Sequence, residues 1–178
     1  MKILHTTLLF VGCGILGLVG ASAFAKSRPR LVLPAGWRLP FGSEVNQAWR
    51  SASPHRYLVV HGDFTGGQRQ DGCLLLVRTN GSGFAPFVVL TQENGQKEFV
   101  QVEDTNDRPY LETEGIVLAK PGTYRTACGK GYIECGPQDK ESITTSFDAI
   151  EFFKREGPAR LIYWDPVKKG FAEAWLSD

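Results

Sequence analysis

The run Tyr57-Leu-Val-Val-His-Gly-Asp-Phe-Thr-Gly-Gly-Gln-Arg-Gln-Asp-Gly-Cys-Leu-Leu-Leu-Val77 decides how this chain is read. Two apolar segments, 57–61 and 73–77, flank a turn-rich stretch, 62–71, holding three glycines and two aspartates. Val, Tyr and Leu runs of this length bounded by Gly and Asp read as strands joined by a loop. The loop also has the outline of a calcium loop. Such loops set oxygens at positions 1, 3, 5 and 9, because the ion takes six to eight of them. Here those positions hold Asp63, Thr65, Gly67 and Asp71. Only Asp63 and Asp71 are carboxylates and Gly67 offers no side chain, so the expectation is a degenerate loop that keeps its turn and leaves Asp63 and Asp71 unoccupied. Calcium is the one cofactor the pattern brings into view.

Working outward, strand signals continue to the C-terminus. Val-, Ile-, Phe- and Tyr-rich segments are expected as strands at 57–63, 72–79, 84–92, 97–103, 115–119, 123–127, 142–147, 160–164 and 171–176. They are separated by Asn80-Gly81, Asn94-Gly95 and Pro121-Gly122. The segment 148–155 is compatible with helix or strand, and the Ile150/Phe152 spacing favours strand. Short strands with turns between them predict an all-β fold, a β-sandwich or a barrel-like antiparallel sheet. One short helix is expected over 43–51, capped by Ser43, with Val45, Ala48 and Trp49 on one face. Residues 26–56 otherwise read as an irregular lead-in, and 57–178 as the β domain.

Residues 1–25 read as a secretory signal peptide. Lys2 is followed by the apolar run Leu8–Val19, and Ala23-Phe24-Ala25 is a small-x-small site before Lys26. Cleavage between Ala25 and Lys26 implies export to an oxidising compartment and no integral membrane anchor. It would remove Lys2 from 20 Lys+Arg, leaving 19 against 19 Asp+Glu. A nucleic-acid binder carries a basic excess, so that class is set aside.

The exported part holds Cys73, Cys128 and Cys135. Cys128 and Cys135 enclose six residues, two of them glycine, and are expected as a disulfide. No His or further Cys stands nearby to complete a zinc set. Cys73, in an apolar run, is expected as a buried thiol.

Catalytic signals are sparse. His55 and His61 are the only histidines beyond the leader, and there is no Gly-x-Ser-x-Gly elbow. His61 beside Asp63 is compatible with an oriented base, but a histidine so placed is more often simply a strand end. The carboxylates Glu93, Glu98, Glu103, Asp104, Glu112 and Glu114 lie in polar, turn-like stretches of sequence, where nothing suggests the buried, raised-pKa carboxyl that a glycosidase acid requires. The expectation is a protein that binds and does no chemistry. Tyr124 and Tyr132 bracket the bridged loop and are candidate anchors for a partner. Tyr163, Phe171 and Trp175 read as packing of a terminal hairpin, with Tyr163 meeting Phe171 across it.

Several short motifs taken together carry a resemblance. They are Gly62-Asp63-Phe64-Thr65-Gly66 with Asp71, Cys128-Gly-Lys-Gly-Tyr132 with Cys135-Gly136, Asp148-Ala-Ile150, and Tyr163-Trp164-Asp165 with Trp175 and Ser177-Asp178. In these the chain resembles periplasmic lysozyme-inhibitor-like immunity proteins of Gram-negative bacteria. The resemblance implies a β-sandwich in the periplasm that inhibits a peptidoglycan hydrolase or lysozyme-like effector. Inhibitors of that kind insert a Ser-Gly-x-x-Tyr loop into the enzyme cleft. Ser82-Gly83-Phe84-Ala85-Pro86-Phe87 begins that way, so Ser82 and Gly83 match its start, and the Tyr is missing. The alternative is a calcium-associated or structural envelope domain without enzymatic activity.

Overall fold

The structure, a computed structural model, describes residues 31–103 and 111–177. The signal-peptide reading and its cleavage site lie outside them. Strand accounts for 44% of the described residues and helical turns for 8%, so the class is all-β.

Eleven strands are described. They are β1 (Trp37–Arg38), β2 (Val59–Gly62), β3 (Asp71–Arg78), β4 (Phe84–Thr91), β5 (Lys97–Gln101), β6 (Glu114–Ala119), β7 (Gly122–Arg125), β8 (Ser142–Thr145), β9 (Ala149–Lys154), β10 (Ala159–Asp165) and β11 (Gly170–Ser177). All pairings are antiparallel. One sheet runs β1-β3-β4-β5, with β2 sharing the β1 edge of β3; a second runs β11-β10-β9-β6; β7 and β8 form a ribbon. The first sheet curls into a half-barrel. The two sheets meet at β2. Its neighbour Tyr57 accepts the Ile116 N–H at 2.9 Å, and Asp63 accepts the Asp148 N–H at 3.1 Å.

The pleat explains the core. Cys73, Leu75 and Val77 of β3 point inward with Val88, Ile116, Ile150, Phe152 and Ile162, and Phe64 fills the same interior. Alternate residues of β3 and β4, Leu74, Leu76, Phe87 and Val89, point outward, where Leu33 and Trp37 cover them. The outer face of the second sheet, Ala149, Leu161 and Leu176, lies under Ile143 and Tyr124 of the ribbon. Both faces of each sheet are therefore apolar, which is why β3 reads as a continuous apolar run and not an alternating one.

Pro86 sits inside β4, a strand paired on both sides. Leu75, opposite it, sends its N–H to Leu58, so Pro86 turns its backbone toward β5. There β5 ends at Gln101, and Val102 donates to the Pro86 carbonyl at 3.2 Å. The missing proline N–H falls where no strand asks for it.

The helix expected over 43–51 is instead two 3-10 turns, Gly42–Glu44 and Ala48–Ala52. Gln47, with ψ at 136°, is extended and separates them. Nine residues give too few backbone bonds to propagate a helix against side-chain anchoring. The anchors are strong. Arg50 is fully buried; its Nε donates to Gln47 Oε1 at 2.9 Å, its Nη1 to the Arg56 carbonyl at 2.9 Å, and its Nη2 to the Glu114 carbonyl at 2.7 Å and to that of Leu111. Burial lowers its pKa to about 10. Trp49 stacks on Tyr57 at 5.2 Å and donates to the Glu112 carbonyl at 3.1 Å. The segment from Leu33 onward is part of the same compact unit as the β domain. The boundary at 56/57 thus marks no break in packing: β1 and the Arg50 anchor sit before it.

Candidate functional site

The β7–β8 ribbon carries a long connection, residues 126–141, closed by the disulfide between Cys128 and Cys135. Its base is fastened on two sides. The Thr126 hydroxyl donates to the Lys140 carbonyl at 2.6 Å, and the Ala127 N–H donates to the Trp175 carbonyl of β11 at 2.7 Å. The Lys130 ammonium reaches the Leu176 carbonyl at 2.8 Å, and the Tyr132 N–H returns to the Ala127 carbonyl at 3.0 Å. Beyond these anchors the connection is exposed: Tyr132 keeps 55% and Ile133 44% of its surface. Two large apolar side chains on a bridged, anchored loop leave about half of their surface to solvent.

Gly129 sets how closely this loop lies on the ribbon. A Cβ there would stand 1.9 Å from the Glu141 carbonyl oxygen, a backbone atom. Between the loop and β11 runs a groove of about 500 Å³, walled by Ile133, Asp139 and Lys140 on one side and by Ala172, Ala174 and Trp175 on the other. Trp175, expected as packing, is 42% exposed there. In the sequence its place on an edge strand leaves no signal, because edge and central strands share the same alternation.

The other expected site residues are placed as follows. Tyr124 packs under the ribbon and gives its hydroxyl to the Lys120 carbonyl. Burial, then Glu151 and Asp148, raise its pKa. It does not share the exposed tip with Tyr132. Ser82 is exposed, but its N–H and hydroxyl both close on Asn80 Oδ1, at 3.0 and 2.8 Å, and Gly83 is buried. They form the tight β3–β4 hairpin. Phe171 meets Trp164 across the terminal hairpin, with ring centroids 5.4 Å apart, while Tyr163 pairs with Ala172; the register is one residue off the expected one.

The loop at 62–71 is built as a plug. Phe64 is fully buried in the half-barrel. Gly66, at φ +77°, has the Phe147 ring where a Cβ would be, 2.2 Å away. Asp63 Oδ2 accepts the Gln68 N–H at 2.9 Å, and Asp71 Oδ1 accepts that of Thr91 at 2.9 Å. Among the described residues no group of three or more His, Cys, Asp or Glu gathers to hold a metal. His61 lies edge-on to His55 at 6.0 Å, both exposed. Cys73 is buried, and burial raises its thiol pKa far above the usual range. No helix of the described residues is long and apolar enough to cross a membrane.

Reduction of the Cys128–Cys135 bond is expected to lower stability by about 2–3 kcal/mol, from the closure entropy of so short a loop. Urea unfolding with and without reductant measures it. An unmoved midpoint would show that the hydrogen bonds at Thr126 and Ala127 hold the loop unaided.

No family model matches the chain, and no curated protein and no solved structure is significantly similar to it.

Proposed function

We propose that this protein is an exported, periplasmic binding protein that inhibits a peptidoglycan hydrolase by presenting the 128–135 loop to it. One observation carries the reading: Tyr132 and Ile133 are exposed side by side on a loop that a disulfide and β11 hold in place. Aromatic side chains are over-represented among residues that dominate binding energy. A loop ordered before contact loses less entropy on binding. The hydrolase as partner rests on the sequence resemblance, and the oxidising compartment agrees with the disulfide.

The chemistry needed is steric. Tyr132 and Ile133 enter a substrate cleft, and the groove beside them accepts an edge of the enzyme. With equal numbers of acidic and basic groups after leader removal, long-range steering contributes little, and affinity rests on the apolar tip. The test is a lysis assay of muramidases and amidases on purified cell walls, with and without the protein. Protection is expected, and Tyr132→Ala is expected to weaken it by about 2 kcal/mol or more, roughly thirtyfold, with the urea midpoint unchanged. Protection retained in full by Tyr132→Ala would remove the loop from the interface. No protection against any hydrolase would remove the function.

A further inference from the structure

A second concavity lies where the 62–71 loop and β4 approach the β10–β11 turn. Its volume is about 410 Å³, and Asp71, Leu90, Val100, Trp164, Lys169 and Phe171 are among its walls. Sites that enclose small ligands run from about 300 to 1,000 Å³.

One of its polar groups is unusual. Asp71 is 3% exposed. One oxygen accepts the Thr91 N–H, while Oδ2 is buried with no hydrogen-bond partner among the described residues. A buried acceptor left unmade is costly, more so on a carboxylate. At the rim, Arg69 is already held by Glu93 at 2.9 Å, whereas Lys169 is exposed and has no acidic partner among the described residues. Trp164 and Phe171, edge to face, line the same cavity with Leu90 and Val100.

We propose that this cavity binds a sugar ring bearing an anionic group. A ring hydroxyl donates to Asp71 Oδ2, the apolar face of the ring lies on Trp164, and the anion meets Lys169. A hydroxyl suits Asp71 Oδ2 better than an ammonium does. It has one proton to place and one unfilled acceptor to receive it, whereas a buried ammonium would leave further N–H groups unmatched. Of the charged groups at the rim, Arg69 is engaged by Glu93 and Glu98 by Gln92, which leaves Lys169 to meet the anion. This site does not rest on the hydrolase reading and shares no residue with the 128–135 loop.

The test is a titration of the ¹⁵N-labelled protein with four probes, following the Trp164 indole N–H. N-acetylmuramic acid carries ring and carboxylate, N-acetylglucosamine the ring alone, lactate the carboxylate arm alone, and D-alanine an ammonium with a carboxylate. Saturable shifts are expected with the first, weaker ones with the second, and none with the last two. Asp71→Asn puts a donor where the acceptor was and is expected to weaken N-acetylmuramic acid by about tenfold or more. Lys169→Gln, on an exposed turn, is expected to make the two sugars equal, and it carries the test if Asp71→Asn does not fold. No shift with either sugar, tighter binding of D-alanine, or a Lys169→Gln protein that still prefers the acidic sugar would each overturn the site.

Discussion

Gly129→Ala is expected to unseat the bridged loop and to cost about 3 kcal/mol of stability. The added Cβ would stand 1.9 Å from the Glu141 carbonyl oxygen and 2.6 Å from its carbon. Neither atom belongs to a side chain that can swing away, so the two backbones must part, which is overpacking at its most rigid. Parting them breaks the hydrogen bond from the Thr126 N–H to the Glu141 carbonyl, 3.0 Å long, that closes the base. Gly122→Ala is the control: its Cβ would meet nothing nearer than 3.9 Å, so stability should hold. Urea unfolding of both variants decides, and equal midpoints would sink the argument. If the loop also carries inhibition, only Gly129→Ala should lose it.

Arg50→Ala is expected to have the other large effect, about 4 kcal/mol. The side chain is fully buried and serves Gln47 and the carbonyls of Arg56, Leu111 and Glu114. Removing it strands buried acceptors and leaves a void under Trp49, whose ring lies 4.4 Å from the guanidinium. Arg50→Lys should restore little. A lysine has one point of donation where the planar fork serves four acceptors in different directions. Denaturant midpoints of the two variants test this, and a lysine variant as stable as the parent would show that charge alone, and not the fork, is needed.

These two positions mark the limit of what the sequence makes legible. The strands from 57 onward are visible in order, because apolar runs and Asn-Gly turns are local signals. The disulfide is visible because its two cysteines are close in the chain. Arg50 is not visible: a lone arginine in the expected 43–51 helix looks solvated, and two of its partners lie 61 and 64 residues away. The expected helix failed for the same reason, since distant anchors overrode local periodicity. For the site, Tyr132 could be named from its stapled loop, whereas Ile133 and Trp175 depend on which strand ends at an edge. Tyr124 was paired with Tyr132 by proximity in sequence, but strand alternation turns it inward. Asp63 and Asp71 were read as remnants of one ion site; each holds a backbone N–H of a different segment, Gln68 and Thr91.

Cys73 sits at the centre of β3, fully buried, with its thiol held protonated. β3 is paired along both edges, by β1 and β2 on one side and β4 on the other. Only the thiolate attacks a disulfide, so the fold keeps Cys73, the free thiol among the described residues, from exchanging with Cys128–Cys135. Order of assembly then governs which bond forms among Cys73, Cys128 and Cys135: docking β3 before oxidation leaves one pairing of these open, and oxidation first leaves three. The same burial makes Cys73 a gauge. Its alkylation rate in native buffer reports opening of the half-barrel itself, and frays at the loops pass it unrecorded.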